Sequence, residues 1–163
     1  MKKNAMRKYG WFVLAIAAID QAIKAYVRTR PYGYTFFEVP GMVALTHCFN
    51  TGAAFSLLSG RTAFLALISL ALLGSICFYA RTKMSLTGNA YVMFACVLGG
   101  GIGNLLDRVC FGGVTDYIRL LFVDFPVFNL ADIAITVAIG ILMILLITDT
   151  LEEASEEKHG SKH

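Results

Sequence analysis

The sequence predicts an all-α membrane protein: four transmembrane helices, a small extracytoplasmic β-rich surface domain, and a re-entrant or interfacial segment. Three observations predict it. Hydrophobic residues make up 57% of the 163 residues and charged residues only 15%, whereas a soluble domain carries about 25% charged residues. The apolar residues gather into runs close to the roughly 20 residues that cross a bilayer. Lys2, Lys3, Arg7, Lys8, Arg81 and Lys83 all fall on one side if the chain crosses four times, as the positive-inside bias requires. At this length the whole chain, 1–163, is one domain.

The first span covers about residues 9–27, with Tyr9 and Trp11 as interfacial aromatics. The basic cluster before it suits anionic lipid headgroups. No basic–aromatic surface of useful length occurs elsewhere, so membrane lipid is an expected contact and nucleic acid is not. A basic start and an apolar run also outline a signal peptide. No small-x-small cleavage pattern closes it, and Asp20 and Lys24 interrupt it, so it reads as a retained helix. Asp20 and Lys24 lie four apart on one helical face and can pair near the far end of the span. The spacing leaves open whether that pair is structural or supports an active site.

Residues 29–60 form a long connection, broken by Pro31, Pro40 and several glycines, that cannot span. Its pieces Tyr34–Val39 and Met42–Thr46 have strand-like content, so a small sheet on the membrane surface is expected. Within it, FNTGAAFSLL (Phe49–Leu58) sets Asn50 and Gly52 ahead of an apolar piece that suits a re-entrant or interfacial segment. Asn50 either caps that piece or serves the site, and spacing does not choose. The second span, 62–80, holds no charge. The third, about 88–106, ends in LGGGIGN, small residues that let helices approach closely. Residues 107–126 connect it to the fourth span, 128–147, and the polar tail reads as frayed or a short helix end. Both termini are then cytoplasmic and both long connections face outward.

Cys48, Cys77, Cys96 and Cys110 form no CxxC, and no histidine stands at a zinc-like spacing, so neither a metal nor a cofactor is expected. Cys77 and Cys96 read as small core hydrophobes; Cys48 and Cys110 share the outer side, where free thiols are expected ahead of a disulfide. A monomer is expected.

The chemistry concentrates between Gly99 and Asp132, where Asn104, Asp107, Arg108, Asp116, Asp124, Asn129 and Asp132 interrupt apolar runs. Charge in or beside a bilayer is costly and marks function by default. Asn104, Asp107 and Arg108 share a helical face, and Asp107 beside Arg108 suits a charge pair that fixes the helix end. Asp116 follows a glycine pair that lets the chain turn back, so it can meet Asp132 where the outer connection re-enters the bundle. Two close carboxylates at low dielectric cannot both ionise easily, and one holds a proton. Such a pair activates water and protonates the scissile carbonyl or leaving group. Asp124 reads as a surface loop acid. Several pairings among Asp20, Asp107, Asp116 and Asp132 satisfy the spacing, and a purely structural ion network stays open. A small proton-coupled transporter is the alternative reading, although its acids belong near the midplane rather than at one face.

The blocks GGGIGNLLDRV (Gly99–Val109), GGVTDYI (Gly112–Ile118) and FNLADIAI (Phe128–Ile135) resemble the signature blocks of the lipoprotein signal peptidases, or signal peptidase II family. Asp20, Gln21 and Lys24 in the first span and FNTGAAFS (Phe49–Ser56) agree in order and spacing. The resemblance implies an aspartic endopeptidase of the bacterial inner membrane that cleaves diacylglyceryl-modified prolipoproteins before the lipidated cysteine. It implies Asp116 and Asp132 as the catalytic pair, with Asp20, Lys24, Asn50, Gly52, Asn104, Asp107, Arg108, Asn129 and Ala131 lining or supporting the site.

Overall fold

A computed structural model of the chain describes residues 2–52, 58–82 and 88–160. In chain order these form α1 (Lys2–Arg28), β1 (Thr35–Val39), β2 (Val43–Asn50), α2 (Thr62–Thr82), α3 (Gly88–Phe111), β3 (Val114–Leu120) and α4 (Leu130–Gly160). Residues 53–57 of the FNTGAAFS block, where the interfacial segment is expected, and 83–87, with Lys83, lie outside the described residues.

The bundle is built around α3, which packs against α1, α2 and α4. Its glycines make this geometry feasible. A Cβ at Gly99 would fall 2.7 Å from Ile16 Cβ on α1, one at Gly100 2.8 Å from the Ala131 carbonyl on α4, and one at Gly101 2.6 Å from Leu73 Cδ2 on α2. Three neighbours therefore use three successive positions that carry no side chain. The outer faces stay apolar, with Leu14, Leu67, Leu70, Val137 and Ile144 more than half exposed. Stretches Gly10–Arg28 and Ala90–Phe111 are long and apolar enough to cross a membrane, while the apolar stretches Thr62–Phe78 and Leu130–Leu145 are shorter.

The strands make an antiparallel sheet in the order β1-β2-β3. Pro40 and Gly41 close the β1–β2 hairpin, with Gly41 at φ +73° and Met42 N–H donating to the Val39 carbonyl at 3.0 Å; Pro then Gly is the pair a type II turn requires. The sheet expected in 29–60 is therefore present, but it is larger than the sequence reading had it. Residues 107–126 were expected as a connection only. They contain β3, which extends β2 by pairing Cys48 with Asp116, Phe49 with Thr115 and Asn50 with Val114. A second clip joins the sheet to the bundle: the Phe128 carbonyl accepts from Tyr117 and Ile118 N–H, and Phe128 N–H donates to the Ile118 carbonyl. At the other end α4 continues to Gly160 rather than stopping as a short helix end, because Leu, Glu, Ala and Lys in the tail are good helix formers.

Candidate active site

Asn129 is the junction of the site. It precedes α4, its Oδ1 accepts from Asp132 N–H at 3.0 Å, and Asp132 Oδ2 accepts from Asn129 N–H at 3.1 Å. This reciprocal arrangement is a capping box, here with a carboxylate closing the turn. The caps leave Asn129 Nδ2 free to donate to Asp116 Oδ1 at 2.6 Å and Asn104 Oδ1 at 3.2 Å. One fully buried residue thus donates to both carboxylates, through its side-chain amide to Asp116 and its backbone N–H to Asp132.

Asp116 comes from the middle of β3 and is 3% exposed; its Oδ2 accepts from Asn50 Nδ2 at 3.1 Å. Asn50 is itself aimed by a turn, since its Oδ1 accepts from the N–H of buried Gly52 at 2.9 Å. Asp132 is half-buried in the first turn of α4, and its Oδ1 accepts from Asn104 Nδ2 at 2.8 Å. Asp116, Asp132, Asn50, Asn104 and Arg108 line one cavity of about 180 Å³, roofed by the 125–128 segment. Burial, and then the charge of Asp132, push the Asp116 carboxyl up from 3.8 to about 6, against the lowering effect of its Asn50 and Asn129 hydrogen bonds and of Lys24. Burial pushes the Tyr117 phenol up to about 12, so it remains neutral while its oxygen accepts from Leu130 N–H at 3.1 Å.

Behind Asn104 lies a buried ion cluster. The Asp20–Lys24 pair expected from their spacing forms at 2.8 Å, with both residues at most 1% exposed. Lys24 Nζ also donates to Asn104 Oδ1 at 2.7 Å and lies 3.5 Å from Asp107 Oδ2. Because Lys24 and Asn129 both need the Asn104 carbonyl, its amide nitrogen is left for Asp132. Asp107 corrects the expected pairing with Arg108. It is fully buried and accepts instead from Arg28 Nη1 at 3.1 Å, Gln21 Nε2 at 2.9 Å and Thr115 N–H at 2.9 Å. Adjacent helical residues point about 100° apart, so α1 and β3 supply the partners of Asp107. Arg108 lines the cavity and donates from Nη1 to the Asn104 backbone carbonyl at 3.3 Å, while its Nε is buried without a hydrogen-bond partner.

Ala131 does not line the cavity. It is buried, and its backbone is what α3 meets at Gly100. Asp124 is exposed on the connection, as expected. The four thiols are free, Cys48 and Cys110 included. The sequence reading missed Arg28, Thr115 and Tyr117. Arg28 had a signal, since it continues the 20–24–28 stripe of α1; the other two had none beyond flanking Asp116.

Known proteins resemble this chain in sequence and in fold. A family model described as "Signal peptidase (SPase) II" matches residues 12–148. A "Lipoprotein signal peptidase" from Symbiobacterium thermophilum is 40% identical over 141 residues, covering 83% of this chain and 92% of the relative. Another of that name from Streptococcus pneumoniae is 34% identical over 152 residues, covering 93% of this chain and 98% of the relative. Two solved structures, both titled as bacterial membrane enzymes obtained by the in meso method, superpose with TM-scores of 0.81 and 0.78. Each is 28% identical, and they cover 88% and 87% of this chain and 89% and 94% of their own.

Proposed function

Since the chain belongs to the signal peptidase II family, we propose that it is a bacterial membrane endopeptidase that removes the signal peptide from diacylglyceryl-modified prolipoproteins, with Asp116 and Asp132 as its catalytic pair. The observation that carries this is the shared cavity in which Asn129 binds both carboxylates. The pair works with one proton. Asp132, the more open member, takes a proton from a water held between the two as the water oxygen bonds to the scissile carbonyl carbon. Asp116 gives its proton to the carbonyl oxygen, which yields a neutral tetrahedral diol. On collapse a diol hydroxyl proton returns to Asp116, the C–N bond breaks, and the leaving cysteine amine takes the proton held by Asp132. The charges balance and no covalent intermediate is needed.

Arg108, Asn50 and Asn104 hold the scissile segment. The place of Arg108 in the cavity wall beside both carboxylates supports a role in orienting a substrate carbonyl. Asp20, Lys24, Asp107, Gly52 and Ala131 act at one remove, by fixing Asn104, Asn50 and the approach of α4. Entry of an apolar substrate removes further water from the pair and favours the protonated form of Asp116.

In the proposed topology four spans, 9–27, 62–80, 88–106 and 128–147, leave both termini in the cytoplasm. The sheet and the catalytic cavity then lie at the outer leaflet. The distribution of basic residues supports this, as do the exposed apolar flanks of α1, α2 and α4. A site beside open helix flanks lets the acyl chains stay in the bilayer during cleavage. A proton-coupled transporter has less support, because both carboxylates sit where the helices meet the sheet.

The test is processing by the enzyme reconstituted in lipid, with the same precursor supplied with and without its diacylglyceryl group and the products weighed by mass spectrometry. Cleavage before the cysteine of the modified precursor only is expected. Equal cleavage of both forms, or cleavage elsewhere, contradicts the reading.

A further inference from the structure

A second, wider cleft of about 540 Å³ opens off the catalytic cavity and shares Asn50, Asp116 and residues 125–127 with it. Its volume lies within the roughly 300–1,000 Å³ of ligand clefts. Asp116 lines both spaces. Their walls differ. The inner cavity ends on α3 and α4, whose outer flanks are apolar, whereas the outer cleft is bounded by β2, β3 and the connection after β3. The inner cavity thus backs onto helices with apolar flanks, and the outer cleft opens on the polar, sheet side of the reacting carboxyls.

The outer cleft carries charge that the enzyme does not use. Arg119, exposed on β3, and Asp124, exposed on the connection, both line the cleft, and neither belongs to an ion pair among the described residues. Arg119 stands on β3 three residues beyond Asp116, whereas Asp124 lies past the end of that strand. Cys48 lies directly across the sheet from Asp116, and its thiol is raised by burial and by Asp116 but lowered by Arg119. Arg119 and Asp124 also bound an adjoining recess of about 350 Å³ formed by residues 119–125.

We propose that this cleft holds the first residues following the lipidated cysteine, and that Arg119 gives it a preference for an acidic over a basic side chain there. The inference rests on the peptidase reading, which fixes the chemistry at Asp116. The residues before the scissile bond belong to an apolar signal peptide, and the cysteine's acyl chains belong to the bilayer. Only the mature chain, which must leave the membrane, matches a polar cleft on the sheet side. An extended chain advances about 3.3 Å per residue, so the first side chains past the cysteine reach the level of Arg119.

The experiment uses the full enzyme in lipid and two diacylglyceryl precursors that differ only in carrying Asp or Lys immediately after the cysteine. What is read is the ratio of their kcat/KM values within each enzyme, so a change in total activity does not enter. For the wild type a ratio of about fivefold in favour of Asp is expected, the scale of one exposed charge pair. It should shrink as salt rises from about 0.05 to about 0.5 M, because exposed charges are screened. Arg119→Glu should reverse the preference and Arg119→Gln should bring it near unity. A wild-type ratio near one, or a ratio unchanged in Arg119→Glu, overturns the proposal, and the wild-type measurement decides alone if either variant fails to fold. Cleavage of both precursors by Asp116→Asn would instead break the underlying peptidase reading, whatever the ratio.

Discussion

Asp116 is enclosed on nearly every side while Asp132 keeps part of its surface open, and this difference divides the work between them. Burial and the neighbouring carboxylate hold the Asp116 carboxyl near 6, above its ordinary 3.8. A raised carboxyl pKa stabilises the fold fully below the ordinary value, and that contribution is lost as pH rises through the folded value. The stability of the wild type relative to Asp116→Asn should therefore decline between about pH 4 and about pH 6 and level off above. Thermal unfolding of both proteins across that range checks this; a difference that grows with pH contradicts it. In the proposed mechanism the same proton governs activity. The singly protonated pair is depleted above about 6 in the free enzyme, so kcat/KM should fall along an alkaline limb that belongs to the coupled pair.

Among the elements, α3 sets the spacing and α1 supplies the charge. Gly100 and Gly140 are both helical glycines, yet a Cβ at Gly100 meets the Ala131 carbonyl at 2.8 Å whereas one at Gly140 meets nothing within 4 Å. Gly140→Ala should stabilise by up to about 1 kcal/mol through helix propensity. Gly100→Ala should destabilise by about 1–3 kcal/mol through overpacking. It should also lower activity further than stability accounts for, because it displaces the turn that holds Asp132; paired unfolding and processing assays would separate the two effects. Lys24 is fully buried between Asp20, Asp107 and Asn104. Lys24→Met leaves the buried Asp20 carboxylate without its cation, while Asp107 keeps Arg28, and should cost about 3–5 kcal/mol, read as a lowered unfolding midpoint. The helices and the first hairpin were legible in the sequence because their signals are local: apolar runs, Pro40–Gly41, aromatic and β-branched residues. β3 was not, because VTDYIRL becomes a strand only when β2, more than sixty residues earlier, offers it an edge. The same distance hid the true partner of Asp107. Adjacency in sequence suggested Arg108, whereas packing brings Arg28 from α1.

On the scale of the molecule, a helical bundle with apolar outer faces carries a three-stranded sheet at one end, and the carboxylates lie where the two meet. That junction is a sound place to hydrolyse a lipid-anchored peptide. In the proposed topology, water and the polar chain have access from the sheet side, and the acyl chains need never leave the bilayer. Asp116 and Asp132 were legible as candidates because charge beside apolar runs is conspicuous, whereas Asn129 was legible as a neighbour of the site but not as the residue that bonds both. The most direct test of the account replaces each carboxylate alone. Asp116→Asn and Asp132→Asn, reconstituted in lipid and given a diacylglyceryl-modified precursor, should each insert and fold yet lose about 10³-fold in processing rate. Processing by either correctly inserted variant within about tenfold of the wild type, well short of what loss of a general acid or base costs, would contradict a catalytic pair.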